Sequence, residues 1–547
     1  MGVGQWNGRD ASASRRNGVS VAVGFAHWRA AFVICFVLLA AVKLILAATL
    51  SPFGDEAFYW QESRHLAWGY SDLPPLTAWL IHLGEGLAGH GVLGMRWPFL
   101  LVGSALPWLA CALARALFDE RAGWQAGLLC MALPLAGSLG VLALPDAPLT
   151  VAIMLALYAL VRAMDNNRWR DWLLLGVALD VCWLTHYRAA MPMVAGLLLF
   201  VFTPRGRRQW QRGGFWLAMS VAALGLIPLA VTNWQQHGAG VAFQLVERNP
   251  WQFHADALVQ PLEQAMACTP LLYALLLWAA WRCWQRSTRE GAPWDVLAVV
   301  ALSFIVLYFV LGLFADDLRF RAHWPLPGYL PLLAALPALL RQPSGWRPWL
   351  LRVTFGLAAL GQVAGLAYLG LAASPAGAQA LAGIKAFPAR FVGWRESGAV
   401  ADRLLDDQPR VLVADNFMLA AEIDFQLNGR VPVYALDSPL NTKHGRAPQL
   451  SIWRRDEGAL RQAHAGDAML LAVDETALRV RERPDWLRTL CGRIEQPRLL
   501  ERLDLFDGRR RIAFYAGRLP PVSAQAPSID DGCLIWLQSR HTAQPSD

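Results

Sequence analysis

The sequence predicts an α-helical polytopic membrane protein of about eleven transmembrane helices with a C-terminal soluble α/β domain, and three observations predict it. Of 547 residues, 55% are apolar and 16% charged, whereas a water-soluble surface needs roughly a quarter of the chain charged. The charge is unevenly spread: residues 1–374 hold 26 Lys+Arg and 19 Asp+Glu, and the much shorter 375–547 holds 23 and 22. Long apolar runs recur through the first part and stop after it. The expected organisation is therefore a multi-span body over 1–374 and an ordinary folded domain over 375–547.

Runs of about 20 apolar residues, enough to cross roughly 30 Å of hydrocarbon, fall at about 29–50, 92–118, 122–143, 147–164, 171–187, 189–203, 214–234, 262–284, 294–314, 325–341 and 347–372. The pair 171–187 and 189–203 is short enough to be re-entrant instead. Basic segments 9–29, 115–121, 162–170, 205–212, 282–289 and 341–352 alternate with loops poor in Lys and Arg. The positive-inside rule makes the basic set cytoplasmic, so an odd number of spans leaves the N-terminus inside and the C-terminal domain outside. Arg15-Arg16 resembles a twin-arginine signal, but the apolar run that follows is long and reads as an uncleaved anchor. The net charge of +8 arises almost wholly in the first part, as topology requires, and gives no reason to expect nucleic acid.

After a Gly/Ala/Ser/Pro-rich stretch at 371–383, the C-terminal region reads strand (410–415), helix (416–429), strand (431–436), then a strand at 468–475 and a hairpin over 498–516 turning at Asp507-Gly508. Six cysteines lie in or beside spans as small buried hydrophobes. Cys491 and Cys533 lie in the outer domain, where a disulfide between them is one of two open outcomes. No GxGxxG, Walker A, CxxC or HExxH motif occurs, which removes the usual signatures of nucleotide-driven transport and zinc hydrolysis.

Ionisable residues on the outer side are few and clustered. The first outer loop, 51–91, opens with the adjacent acids Asp55 and Glu56 among Phe53, Phe58, Tyr59, Trp60, Trp68 and Tyr70; Asp146 stands in LALPDAPLT, a loop otherwise nearly free of charge. An aromatic belt with acids facing water would look similar. Carboxylates at the mouth of a membrane cavity are the sharper reading, because they suit an enzyme that deprotonates an acceptor beside a lipid-borne substrate.

The run GDEAFYWQESRHLAWGYSDLPPL, followed by RWPFLLVG (96–103), LPDAPL (144–149) and HWPLPGYLPL (323–332), resembles the bacterial membrane glycosyltransferases of GT-C fold, relatives of the protein O-mannosyltransferases and of the aminoarabinose transferase that modifies lipid A. The resemblance covers most of 29–340 and implies inverting transfer of a sugar from a polyprenyl-phosphate donor to an acceptor at the outer face of the bacterial inner membrane: lipid A or lipopolysaccharide, another glycan or a protein. It maps the proposed general base to Asp55, with Glu56 beside it and Asp146 as the second-loop acid. An acceptor hydroxyl attacks only if a carboxylate takes its proton, while the leaving lipid phosphate needs cations. The candidates are His186, Tyr187 and Arg188, and Arg319, Arg321 and His323; a boundary arginine that only snorkels to headgroups is the plainer alternative. Asp316-Asp317 could simply pair with these arginines. Lys43 and Asp180, charged within spans, are expected to pair with each other or locally. His82, Glu85, His237 and His254 form no ligand motif, so no cofactor is called for and a divalent metal stays open. The loop 235–261 reads as an amphipathic outer-leaflet segment. The alternative function is a lipid or sugar transporter or flippase; a structural or assembly protein would leave the acid and arginine clusters unexplained.

Overall fold

The computed structural model describes residues 10–236, 238–242, 251–314, 322–341, 347–408 and 410–521. Among them, six helices are long and apolar enough to cross a membrane: His27–Thr49, Val92–Leu117, Asp146–Asn166, Gly213–Gln235, Trp294–Phe314 and Trp349–Ala372. Two further pairs, Tyr187–Phe202 with Pro204–Gln211 and Ala255–Cys268 with Pro270–Glu290, meet those limits only together and are bent by 94° and 114°. That is six to eight against the eleven expected: the runs at 171–187 and 325–341 form helices of 17 and 14 residues, and proline breaks or bends three others. The residue before a proline is pushed out of the helical region. Leu133 (φ −68°, ψ 116°) breaks the run expected at 122–143 before Pro134, Thr203 is extended before Pro204, and Thr269 leaves the helical region altogether (φ 69°, ψ 136°) before Pro270. Leu38, Ile45, Leu101 and Phe202 are well exposed on the helices, as a lipid-facing surface requires.

The basic loops gather at one end of the helices. Arg205 reaches both Asp165 and Asp295, the latter at 3.4 Å; Arg341 donates to Asp119 (2.8 Å), and Arg162 to Asp171 (3.2 Å). The Asp146–Asn166 helix has 21 residues, about 31 Å at 1.5 Å per residue, so Asp146 at its start lies at the opposite end from Asp165. The acids of the first loop and the C-terminal region occupy the Asp146 end. No ion pair joins Lys43 to Asp180 among the described residues; Lys43 is buried and Asp180 partly buried.

The C-terminal region forms a five-stranded mixed sheet, order β2-β1-β3-β5-β4, from β1 (Val411–Ala414), β2 (Val433–Ala435), β3 (Ala468–Asp474), β4 (Glu495–Leu505) and β5 (Arg510–Arg518). β1 runs parallel to β2 and β3, and β5 antiparallel to β3 and β4. The β4–β5 hairpin turns where expected: Asp507 (φ 55°) and Gly508 (φ 76°) take the left-handed conformations a tight turn needs. The expected 416–429 helix is Phe417–Gln426, its first amides capped by Asn416 Oδ1, which accepts from Met418 N (3.0 Å) and Leu419 N (3.1 Å).

This region does not hang free. The first-loop helix, Gly54–Arg64, is buried along nearly its whole length. Phe58 meets Phe417 edge-on with ring centroids 5.6 Å apart, Trp60 meets Phe425 at 5.3 Å, and these rings join one apolar core that continues into the membrane-length helices. Gly54 permits the closest approach: a Cβ there would lie 2.1 Å from Met418 Cγ. A separate cluster, including Val413, Leu471, Trp486 and Tyr515, packs within the C-terminal region alone. Cys491 is disulfide-bonded; its expected partner, Cys533, lies outside the described residues.

Candidate active site

Two polar clusters stand at the Asp146 end. The first is built on the Gly54–Arg64 helix and the turn after it. Adjacent residues on a helix do not face the same way, and Asp55 and Glu56 accordingly have different neighbours. Asp55 Oδ1 lies 3.1 Å from Arg446 Nη2 and 3.9 Å from His444 Nδ1, both from the C-terminal region. Arg446 also pairs with Asp72 and lies 3.7 Å from Glu62 Oε1, its guanidinium stacked 4.4 Å from the Phe58 ring and 4.9 Å from Tyr59. Three carboxyl groups therefore share one guanidinium. Burial and the neighbouring Asp72 push Glu62 well above the usual carboxylate range, and burial raises Asp72 less, because Arg446 opposes it. Burial alone would lower Arg446, but Asp72, Tyr59, Asp55 and Glu62 hold it above the ordinary arginine range. The upward push on Glu62 and Asp72 favours their neutral forms, which eases the crowding of three carboxyl groups around one guanidinium.

Glu56 is placed as structure rather than chemistry. Its Oε1 accepts from Arg96 Nε (2.8 Å) and Ala143 N (2.6 Å), and its Oε2 from Arg96 Nη2 (2.6 Å) and Phe53 N (2.9 Å). Four donors fill the four lone-pair sites of a carboxylate, so no site remains for an acceptor proton. Beside Asp55, Glu56 is placed to orient the loop, tying Phe53, Arg96 and Ala143 together.

The second cluster joins residues far apart in sequence. Asp146, in the first turn of its helix where a negative charge complements the macrodipole, accepts from Arg188 Nη2 (2.6 Å) and lies 3.3 Å from His323 Nε2. His186 caps the short turn that carries Arg188: its Nδ1 accepts from Arg188 N (3.0 Å), which leaves Nε2 to carry the proton in the neutral ring. Arg188 also stacks over Trp324, 5.5 Å from the ring centroid. Tyr187 points elsewhere, its hydroxyl accepting from Asn233 Nδ2 (3.3 Å). Tyr59, fully buried, senses Arg446, Asp55, Asp72 and Glu62 on one side and contributes to the field at Arg188 on the other, so the clusters are electrostatic neighbours. Arg319, Arg321, Asp316 and Asp317 lie outside the described residues, as does His237.

Sequence reasoning grouped Asp146 with Asp55 and Glu56 as acids and His186, Arg188 and His323 with the cations; the structure places Asp146 against Arg188 and His323 instead. Sequence reasoning missed Arg446, Asp72, Glu62 and Arg96. Asp72 had a signal, since it lies in the same motif-bearing run as Asp55; Arg446, 391 residues from Asp55, had none. No group of three or more His, Cys, Asp or Glu side chains among the described residues is arranged to hold a metal ion. His82 turns instead to Ser63 O (3.0 Å), and Glu85 to Trp60 Nε1 and His90. Below the second cluster lies an apolar cavity of about 310 Å³, lined by Ile153, Leu157, Leu179, Phe200, Phe215 and Phe304 among others.

A family model described as dolichyl-phosphate-mannose-protein mannosyltransferase matches residues 72–232, a stretch that contains Asp72, Asp146, His186 and Arg188. The lipid A galacturonosyltransferase RgtD of Rhizobium johnstonii is 25% identical over 343 residues, 61% of this chain and 68% of that protein. The undecaprenyl phosphate-α-4-amino-4-deoxy-L-arabinose arabinosyl transferase of Pseudomonas aeruginosa is 28% identical over 301 residues, 48% of this chain and 53% of that protein, so the chain matches about half of that relative's length. The crystal structure of ArnT from Cupriavidus metallidurans bound to undecaprenyl phosphate superposes with a TM-score of 0.61 at 16% identity, covering 88% of this chain and 98% of that one, a likeness of fold. The chain is thus similar, in sequence over part of its length and in fold over most of it, to membrane glycosyltransferases that include the aminoarabinose transferases, and over residues 72–232 to the dolichyl-phosphate-mannose-protein mannosyltransferases.

Proposed function

We propose that the chain transfers a sugar from a polyprenyl-phosphate donor to an envelope acceptor, lipid A before others, at the outer face of the bacterial inner membrane, with inversion at the anomeric carbon. The observation that carries this reading is the pairing of a carboxylate cluster and a cationic cluster at one end of the membrane helices, with Tyr59, packed on Arg446, contributing to the field at Arg188 as well. The acceptor O–H meets Asp55, which takes the proton as the oxygen attacks the anomeric carbon. The bond from that carbon to the phosphate oxygen breaks, and the lipid phosphate leaves as an anion. Arg188 and His323 supply donors for that charge, the guanidinium fork suiting phosphate oxygens. Ile153 lies seven residues below Asp146, about 10 Å along the helix, so part of the prenyl tail fits the apolar cavity beneath. Both relatives named above are transferases, one of galacturonic acid to lipid A and one of aminoarabinose from undecaprenyl phosphate. The deciding assay gives purified protein each of these sugars on labelled polyprenyl phosphate, with lipid A. Turnover supports the reading; vectorial movement of the lipid without bond cleavage would replace it with the flippase.

Two expectations attach to this reading. Arg188→Ala should raise the KM for the donor about tenfold or more and leave the KM for the acceptor nearly unchanged, with Arg188→Lys recovering only part because a point charge lacks the fork. Equal shifts in both constants would remove Arg188 from the donor site. The reading of 375–547 as outside the membrane and facing the periplasm is supported by the basic loops gathered at the far end. Protease added to cells with a permeabilised outer membrane should cut this region, and protection until the inner membrane is also opened would reverse the topology.

A further inference from the structure

The seam between the C-terminal region and the first outer loop has an acid at its centre. On the helix Phe417–Gln426, Met418, Glu422 and Phe425 fall at i, i+4 and i+7 and so share one face. Met418 closes on Gly54 and Phe425 on Trp60, which seats that face along the first-loop helix Gly54–Arg64. Glu422, between them, is fully buried, and neither of its carboxyl oxygens has a hydrogen-bond partner among the described residues. The charged groups whose fields reach it lie on three other elements: Glu56 on the first-loop helix, Arg96 on the Val92–Leu117 span and Arg510 on β5. Each is already matched, Glu56 by Arg96 at 2.6 Å and Arg510 by Asp474 of β3 at 2.8 Å, so none serves Glu422 as a counter-ion. On its own helix, Asp424 turns to Gln61 Nε2 (2.7 Å). The strands β1 and β2, also against this helix, carry no charge. The helix Trp394–Asp407, packed on the other side, directs Arg395 to Thr49 O and pairs Asp402 with Arg430 and Arg403 with Glu501.

We propose that Glu422 is a proton-operated latch, which fastens the C-terminal α/β region to the first outer loop and releases it as the pH rises. In the seated helix the side chain is out of water with no donor and no counter-ion, so the neutral form is the one that fits. Burial and Glu56 accordingly push its carboxyl well above the usual range, against the pull of Arg510 and Arg96. Released into water, the same carboxyl ionises at about 4.3. The seated state therefore holds one more proton than the released state between that value and the raised one. Docking is at full strength below this window and weakens about tenfold for each pH unit within it. Asp424, which burial raises to about 6, adds to the loss only in the lower part of the window. Arg446 meets Asp55 across the same seam, so release takes the candidate site apart and makes it sensitive to the pH outside the inner membrane.

The test follows hydrogen exchange in the full-length protein in detergent, from about pH 6 to about pH 10, with protection corrected for the intrinsic exchange rate. Segments 54–64 and 417–426 report the seam, and β3 and β5 serve as an internal reference. In the natural protein the seam should lose about tenfold or more of its protection above about pH 7, while β3 and β5 stay protected. Glu422→Gln and Glu422→Met, both neutral at every pH, should shrink that loss to less than about threefold, and Asp424→Asn should leave it in place. No loss in the natural protein, or the same loss in both neutral variants, overturns the proposal. Opening of β3 and β5 together with the seam is unfolding rather than release and overturns it as well. If neither neutral variant folds, the seated side chain is required as an anion, which also overturns it. The readout involves no sugar transfer, so its failure is distinct from a failure of the transferase reading.

Discussion

Asp55→Asn lowers turnover by about 10²-fold or more in the expected result, with expression, thermal stability and donor binding retained. The size follows from chemistry: asparagine keeps the shape and can accept the Arg446 hydrogen bond, but it cannot take a proton from the acceptor. The retained fold follows from the surroundings. Asp55 is one of three carboxyl groups around Arg446, so its neutralisation removes repulsion along with attraction, and Asp72 still pairs with the guanidinium. Asp146→Asn is the informative comparison. Asp146 lies between Arg188 and His323, and its loss should disturb donor KM by freeing those cations rather than remove the base. Normal turnover in Asp55→Asn with none in Asp146→Asn would transfer the role of base to Asp146.

Much of the architecture was legible because apolar run length and alternation are local properties. The apolar runs predicted a helical body, and RVLVAD, VPVYAL and AMLLAVDE predicted the strands seen as β1, β2 and β3. The bends and breaks lie where local stereochemistry outweighs run length: Pro134 and Pro270 stand inside apolar runs and Pro204 at the edge of one, and the restriction on the preceding residue splits or bends those runs. The same is true of Asp55 and Glu56. Neighbours on a helix are about 100° apart, so only one of two adjacent acids could face a given site; the sequence contained that constraint, though not which acid would lose. Arg446 is different in kind. HGRAPQL has no periodicity, charge run or motif that separates it from any surface arginine, and its role exists only because the chain folds back across 391 residues. Lys43 and Asp180 show the reverse: of the mutual or local pairing expected from their shared rarity in spans, the mutual one is not made among the described residues.

Replacing Arg96 by Met should cost about 3–5 kcal/mol, the largest stability loss expected from any single substitution here, and the reason lies in what its guanidinium joins. Nη1 donates to Ala47 O (3.1 Å) and Leu50 O (2.7 Å), and Nη2 to Ser51 O (2.9 Å), carbonyls at the end of the first span that have no helical partner. A cation there complements the helix dipole. Nε and Nη2 grip both oxygens of Glu56, which in turn accepts the amides of Phe53 and Ala143. One fully buried ion pair therefore fixes the turn between the first span and the first-loop helix, and with it the direction in which Asp55 points. Arg96→Met leaves Glu56 charged and buried among unpaired groups; Glu56→Gln does the same to Arg96 but keeps an acceptor oxygen, so it should cost less. Changing both, to Met and Gln, should be milder than the sum of the singles, because neither charge is then left alone. Melting temperature in detergent, followed by the fraction that remains monodisperse on heating, reads all three. Should Glu56→Gln melt like the natural protein and yet lose turnover as deeply as Asp55→Asn, Glu56 acts in the chemistry after all, through a rearrangement that frees one of its oxygens from Arg96.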